Sequence, residues 1–239
     1  MGIIVQKVKK SYKKQSVVNN VSFVVERGEI VGLLGPNGAG KTTTFYIIVG
    51  LIQPESGNIF YNDKRITSFP MYKRAKLGIN YLPQESSIFR KLTVWENFMV
   101  MLEMQNMTKR EMIHKTTRLL KEFDITYLKD KIGEQLSGGE RRRVEIARSL
   151  TTSPKFILLD EPFAGVDPIS IAEIQDIIKY LKTQNLGILI TDHNVRETLN
   201  ITDKAYILHK GSILISGKSS EIRESKIARK YYLGERFFQ

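Results

Sequence analysis

The stretch G-P-N-G-A-G-K-T, Gly35 to Thr42, constrains what this chain can fold into more than any other feature. It satisfies the spacing G-x-x-x-x-G-K-[ST] and lies between the apolar run E-I-V-G-L-L (Glu29–Leu34) and the helical candidate T-T-T-F-Y-I-I-V-G-L. An apolar run of this kind reads as a buried strand of a parallel sheet, so a strand–loop–helix unit is expected. The glycines let consecutive backbone N–H groups converge on phosphate oxygens. The helix start adds its orphan donors and the positive end of its dipole. Lys41 supplies a compact charge for β- and γ-phosphates, and the Thr42 hydroxyl can ligate Mg2+. The phosphate-binding set is therefore Gly35, Pro36, Asn37, Gly38, Ala39, Gly40, Lys41, Thr42 and Thr43. A glycine-rich turn with a chance lysine is the bland alternative, and the flanking strand and helix argue against it.

The companion stretch is F-I-L-L-D-E, Phe156 to Glu161. Four apolar residues place a strand in the core and leave two carboxylates at its C-terminal edge, where open α/β sheets bind ligands. Asp160 is suited to holding Mg2+, directly or through water. Glu161 is suited to polarising the attacking water as general base. Together the two stretches predict a nucleoside triphosphatase. No Asn-Lys-x-Asp guanine-reading stretch is present, which favours ATP over GTP.

The remaining pattern is consistent with α/β organisation. Ile3–Val8 and Val21–Val25 read as strands, with a turn at Glu26-Arg27-Gly28. From about Val94 to Leu150 the periodicity becomes helical. Phe156–Leu159 and Gly187–Thr191 then flank the helix I-A-E-I-Q-D-I-I-K-Y-L in a βαβ pattern. Ala205–Gly217 reads as a hairpin turning at Lys210-Gly211.

A helix also starts at L-S-G-G-E, Leu136 to Glu140. Ser137 and Glu140 have the spacing of a capping box. Gly138 and Gly139 in the first turn each cost roughly 0.5–1 kcal/mol relative to alanine. Side chains there would keep a phosphate from the backbone N–H groups, and Gly35–Thr42 already provides for one triphosphate. The expectation is half of a site completed by another chain.

With this stretch in place, the chain resembles the ATP-binding subunits of ABC transporters over essentially its whole length. The resemblance implies an α/β fold of the P-loop NTPase type, the ABC ATPase cassette. Its parts would be a RecA-like core sheet, an N-terminal antiparallel β subdomain and a helical signature subdomain at about 85–150, all within one domain, 1–239. It implies ATP and Mg2+ as cofactors, and a homodimer in which each subunit presents Leu136, Ser137, Gly138, Gly139 and Glu140 to the ATP of its partner. By the same resemblance Tyr12 stacks on adenine, Gln84 senses Mg2+, Asp167 lies in the loop between subunits and His193 contacts the γ-phosphate. Phe89 and Arg90 line the groove for a transmembrane partner. Glu161, His193 and Lys41 form the catalytic set, and Thr42, Gln84 and Asp160 the metal set. Tyr12 as an edge-strand tyrosine, Gln84 as a turn residue, Asp167 as a turn ahead of Pro168 and His193 as a structural histidine are the plainer alternatives.

Longer strings, among them Y-L-P-Q-E-S-S-I-F-R-K-L-T-V, F-A-G-V-D-P-I and T-D-H-N-V-R-E-T-L, are similar to those of the cassettes serving lipopolysaccharide export. That similarity implies two transmembrane permease subunits and peripheral attachment to the cytoplasmic side of the inner membrane. Import of branched-chain amino acids, or a soluble cassette acting on ribosomes or nucleic acid, are the alternatives.

Composition sets outer bounds. The chain has 239 residues, 41% hydrophobic content, no cysteine and a formal net charge of +12. No apolar run approaches the roughly 20 residues of a membrane span, and a secretory signal is lacking, so a cytoplasmic chain needing membrane partners is expected. The positive charge suits solvated faces, an anionic membrane surface or nucleic acid. Met99, Met101, Met104, Met107 and Met112 cluster, either as an adaptable docking surface or as core filling. Phe237 and Phe238 suggest packing against a second subunit.

Overall fold

Three short runs, β3 (Ile30–Leu34), β7 (Phe156–Asp160) and β8 (Gly187–Thr191), are buried at every position in the computed structural model, which describes residues 1–13 and 15–233. A strand buried on both faces needs a layer on each side, and alternate residues go to opposite cores. Ile157, Leu159, Ile188 and Ile190 join one apolar cluster, while Phe156, Leu158 and Leu189 join another. Phe237 and Phe238 lie outside the described residues.

The central sheet adds β6 (Ile79–Leu82), β9 (Lys204–His209) and β10 (Ser212–Lys218) in the order β10-β9-β3-β8-β7-β6. All neighbours are parallel except β10 with β9. Lys210 and Gly211, at φ 47° and 81°, make the tight turn between those two. A second, antiparallel sheet has the order β2-β1-β4-β5, from β1 (Gly2–Tyr12), β2 (Gln15–Glu26), β4 (Ser56–Tyr61) and β5 (Lys64–Arg65). Its buried face meets α1 (Lys41–Val49) and one face of the central sheet in a single cluster.

The opposite face is covered by α3 (Val94–Glu103), α4 (Lys109–Glu122), α5 (Gly138–Ser149) and α6 (Pro168–Thr183). The last of these is the crossover between β7 and β8. Shorter helices include α2 (Met71–Lys76), α7 (Val195–Ile201), α8 (Ser219–Glu224) and α9 (Lys226–Ala228). Of the five clustered methionines, Met99, Met101, Met107 and Met112 are half-buried and Met104 is 84% exposed, so core filling does not account for Met104.

The C-terminus of α1 is held by a buried cation. The Arg74 guanidinium donates to the carbonyls of Ile47, Ile48, Thr67 and Phe69. Two of these are orphan carbonyls of the helix end, where positive charge is favoured. Burial pushes the Arg74 pKa down to about 10. The phosphate-binding end of α1 is thus anchored from its far end.

Candidate functional site

Gly35–Thr42 joins β3 to α1 as the motif requires, and its backbone explains two glycines. Gly40 has φ 99°, and a Cβ there would lie 2.4 Å from the Val17 carbonyl oxygen. At Gly35 a Cβ would lie 2.3 Å from the Leu208 carbonyl oxygen. The loop therefore needs glycine both for conformation and for close approach of β2 and β9. Lys41 Nζ donates to the carbonyls of Gly35 (2.7 Å) and Pro36 (3.1 Å), folding the ammonium across the loop. Burial lowers the Lys41 pKa, against the opposing pull of Glu161, Asp160 and Asp192.

A cleft of ≈ 340 Å³ is lined by Asn37–Thr43, Val17, Glu161 and His193. The structure thus brings the phosphate loop together with both residues named as its catalytic partners. His193 Nε2 lies 2.6 Å from Glu161 Oε1. Glu161 holds a left-handed φ of 47°, unusual for a side-chain-bearing residue and worth about 1–3 kcal/mol of strain. Its N–H donates to the Thr191 carbonyl at 2.7 Å, which fixes that conformation at the end of β7.

Asp160 is 4% exposed and accepts from the Tyr81 hydroxyl at 3.1 Å. Burial raises its pKa, with the neighbouring Glu161 charge adding to the effect and the Tyr81 hydrogen bond opposing it. Its register partner Thr191 keeps a buried hydroxyl oxygen with no hydrogen-bond partner. Among the described residues no three acidic or histidine side chains form a metal cage. What stands here is instead a carboxylate, an unpartnered hydroxyl and the Thr42 hydroxyl in the cleft. This hard-oxygen set suits Mg2+ carried in with phosphates rather than a dedicated metal site.

A second cleft, ≈ 270 Å³, also reaches Glu161 and is lined by Gln84, Gly138, Arg142, Glu145 and Gly165 among others. Part of its wall is a buried ion pair on α5. Arg142 donates to the carbonyls of Pro83 (2.9 Å) and Asp160 (3.0 Å) and to Glu145 (3.3 Å). Glu145 accepts from Ser86, Ser87 and Ile88. Helix α5 therefore grips both the acidic end of β7 and the loop carrying Gln84, whose side chain is exposed.

Ser137 caps α5 and closes its capping box with Glu140, at 3.2 and 2.9 Å. Leu136 is buried in the core beneath. The two glycines differ, which corrects the common explanation given for them. Gly138 is exposed, open to a ligand from outside the chain. Gly139 is buried, and a Cβ there would lie 2.2 Å from Ser170 Oγ of α6, so packing within this chain excludes a side chain.

Asp167 has a local duty too. It caps α6 by accepting from the Ser170 N–H at 3.0 Å, with Pro168 in the first turn. Tyr12 is 46% exposed at the β1–β2 hairpin, outside the lining of the phosphate cleft, with Lys10 Nζ 5.6 Å from its ring centre. Phe89 and Arg90 occupy an exposed loop that Asn97 holds by its amide, accepting from the Phe89 N–H and donating to its carbonyl. Arg148 lies over the Phe89 ring at 5.2 Å.

Several contributors carried no motif signal. Tyr81 and Arg142 reach Asp160 through folding alone. Asp192, 2% exposed, accepts from the N–H groups of Phe163 and Asn194 and so ties the loops after β7 and β8 together. Tyr232, near the C-terminus, is in hydrogen-bond contact with the Gly35 backbone, and burial pushes its hydroxyl up to about 12. A buried tyrosine or a second arginine in R-R-R is indistinguishable in sequence from its neighbours.

Comparison with known proteins agrees with this geometry. The family model described as ABC transporter matches residues 18–164. The lipopolysaccharide export system ATP-binding protein LptB of Haemophilus influenzae is 54% identical over 229 residues, 95% of each chain. The protein of the same name from Escherichia coli K12 is 52% identical, again over 95% of each chain. Among solved structures, a nucleotide-free ATP-binding cassette from an ABC transporter superposes with TM-score 0.88 at 27% identity, covering 98% of this chain and 100% of that one. A bacterial ABC transporter cassette solved as a dimer gives TM-score 0.80 at 25% identity, covering 91% of this chain and 98% of that one.

Proposed function

This chain belongs to the ABC transporter family as an ATP-hydrolysing subunit, and we propose that the transport it drives is the export of lipopolysaccharide from the inner membrane. The observation that carries the substrate is the identity of 52–54% to LptB proteins over 95% of both chains.

In this reading ATP enters the cleft at Gly35–Thr42, and Lys41 exchanges its two loop carbonyls for phosphate oxygens. Glu161 accepts the proton of the attacking water, while the His193 imidazole beside it holds the carboxylate in place. Thr42 and Asp160 would hold Mg2+, with Gln84 at the second cleft swinging in; the ion supplies charge neutralisation at the phosphates. The exposed Gly138 N–H at the start of α5 faces the triphosphate of a second copy, so two chains complete two sites. Tyr12, at the hairpin beside Val17, stacks on adenine.

Among the described residues no helix is long and apolar enough to cross a membrane. The work of ATP closure therefore passes to two transmembrane permease subunits. The docking groove is the one beside the Phe89–Arg90 loop, and the complex attaches to the cytoplasmic side of the inner membrane. The test is purification of the Glu161→Gln chain with ATP from native membranes. Two membrane partners and bound lipopolysaccharide are the expected content. Recovery with an amino-acid permease, or with nucleic acid and no membrane partner, would overturn the substrate assignment.

A further inference from the structure

A cleft larger than the phosphate cleft, ≈ 500 Å³, lies against α4. Arg110, His114 and Arg118 recur along it at helical spacing and so share one face, with Lys115 beside them and Ser153 opposite. Some cations of this basic chain find carboxylates close by, as Lys131 does with Glu140 at 3.1 Å and Arg143 with Glu173 at 3.5 Å. In this cleft such pairing is sparse. Glu111 turns one carboxylate oxygen, Oε2, to the N–H and hydroxyl of Thr108, each at 2.7 Å. Arg118 reaches Glu122 at 4.0 Å, and Arg110 has no ion pair or hydrogen bond among the described residues. Lys115 donates to Ser153 Oγ at 3.1 Å, and its pKa is lowered by burial and by the Arg118 charge.

Such a lining offers two guanidiniums, an ammonium, an imidazole and a hydroxyl against the single carboxylate of Glu111. Like charges gathered in a concavity repel unless an anion is shared among them, and guanidinium forks match phosphate oxygens. Met107 adds an apolar wall. An adjoining groove is lined by Met101, Thr152 and Arg148, the last over Phe89. On the docking reading above, a permease held beside the Phe89–Arg90 loop would bring the basic cleft towards the bilayer.

We propose that the α4 cleft binds the phosphate of an anionic lipid headgroup, beside the permease contact. The orientation rests on the docking reading above; the donor set does not. The test uses the full chain without permease, floated with phosphatidylcholine vesicles with or without phosphatidylglycerol. Binding is expected only with phosphatidylglycerol. Arg110→Ser/Arg118→Ser should weaken it about 30-fold, the sum for two basic residues near an anionic surface. Lys129→Ser/Lys179→Ser, which removes equal charge elsewhere, should leave it within about 3-fold. Equal losses in both variants, or none in either, would overturn the site.

A second readout is acylation of Lys115, followed by mass spectrometry. Anionic vesicles should protect it and phosphatidylcholine should not. Protection by inorganic phosphate at matching phosphorus concentration would reassign the cleft to a free phosphate ligand. Both variants should hydrolyse ATP as the parent does, which separates this inference from a folding failure. Recovery of the expected permeases with no vesicle binding would sink the lipid site alone.

Discussion

Gly139 of α5 packs so closely on Ser170 of α6 that a Cβ on the glycine would stand 2.2 Å from the serine hydroxyl oxygen and 2.4 Å from its Cβ. Overpacking of this kind costs about 1–3 kcal/mol. Gly139→Ala should lower the melting temperature by roughly 2–4 °C per kcal/mol for a chain of this size. The cost should shrink in a Ser170→Gly background. A Cβ at Gly138 would lie 3.2 Å from the Gly165 carbonyl oxygen, so Gly138→Ala should lower melting less than Gly139→Ala while impairing ATP-dependent dimerisation. Equal thermal effects of the two glycine substitutions would contradict this division of labour.

Glu161→Gln should cut turnover at least ~100-fold, the usual scale for a general base, while ATP-dependent dimers persist. Steady-state hydrolysis and size-exclusion chromatography with ATP give both readouts. Near-normal hydrolysis would remove Glu161 from the role of base.

The shared-site arrangement makes its own prediction. A Lys41→Ala subunit mixed with a Ser137→Arg subunit leaves one intact composite site per heterodimer. A homodimer carrying both substitutions in each chain has none. Hydrolysis should therefore survive in the mixture and vanish in the homodimer; equal rates would rule out the arrangement.

The buried pair Arg142–Glu145 predicts strong non-additivity. Removing one member of a buried pair costs about 3–5 kcal/mol because the other charge is stranded. Arg142→Met should lose that much by urea denaturation, and Arg142→Met/Glu145→Gln should regain more than half. Additive losses would show that the two charges are not coupled.

Acid should destabilise the chain through its helix caps. Hydrogen bonds from Thr93 hold the Glu96 carboxyl below its ordinary 4.5, those from Thr108 do the same for Glu111, and Ser170 holds Asp167 below 3.8. Since these folded-state values are depressed, the stabilisation is complete above the ordinary values. It is lost as pH falls through the lowered ones. Glu96→Gln/Glu111→Gln, which keeps the box without a titrating group, should flatten the acid limb of melting temperature against pH. An unchanged limb would refute this.

The phosphate loop, the acidic end of β7 and the capping box of α5 were legible in the sequence because each is a local device. Its residues act on their own backbone within a few positions. The same locality explains the hairpin at Lys210-Gly211. What sequence could not show depends on distant strands meeting. Tyr81 reaches Asp160 across neighbouring strands, and Asp192 joins two loops that are far apart in the chain. The pairing of Gly139 with Ser170 is of this kind, which is why a packing requirement looked like a ligand requirement. The methionine cluster was ambiguous for the opposite reason: periodicity marks a helix face but not whether anything covers it.

Glu161 lines both clefts, the one holding the phosphate loop and the one bounded by Gln84, Gly138 and Gly165. The carboxylate thus has two doorways, and the proposed function gives the nucleotide one of them. In that reading water keeps the other cleft as its route, so fuel and nucleophile need not compete for a single entrance. A second copy laid across Gly138 would shut the water's doorway behind it. Subunit closure would then set how much solvent accompanies each turnover, and reopening would decide when the site can be rinsed and recharged.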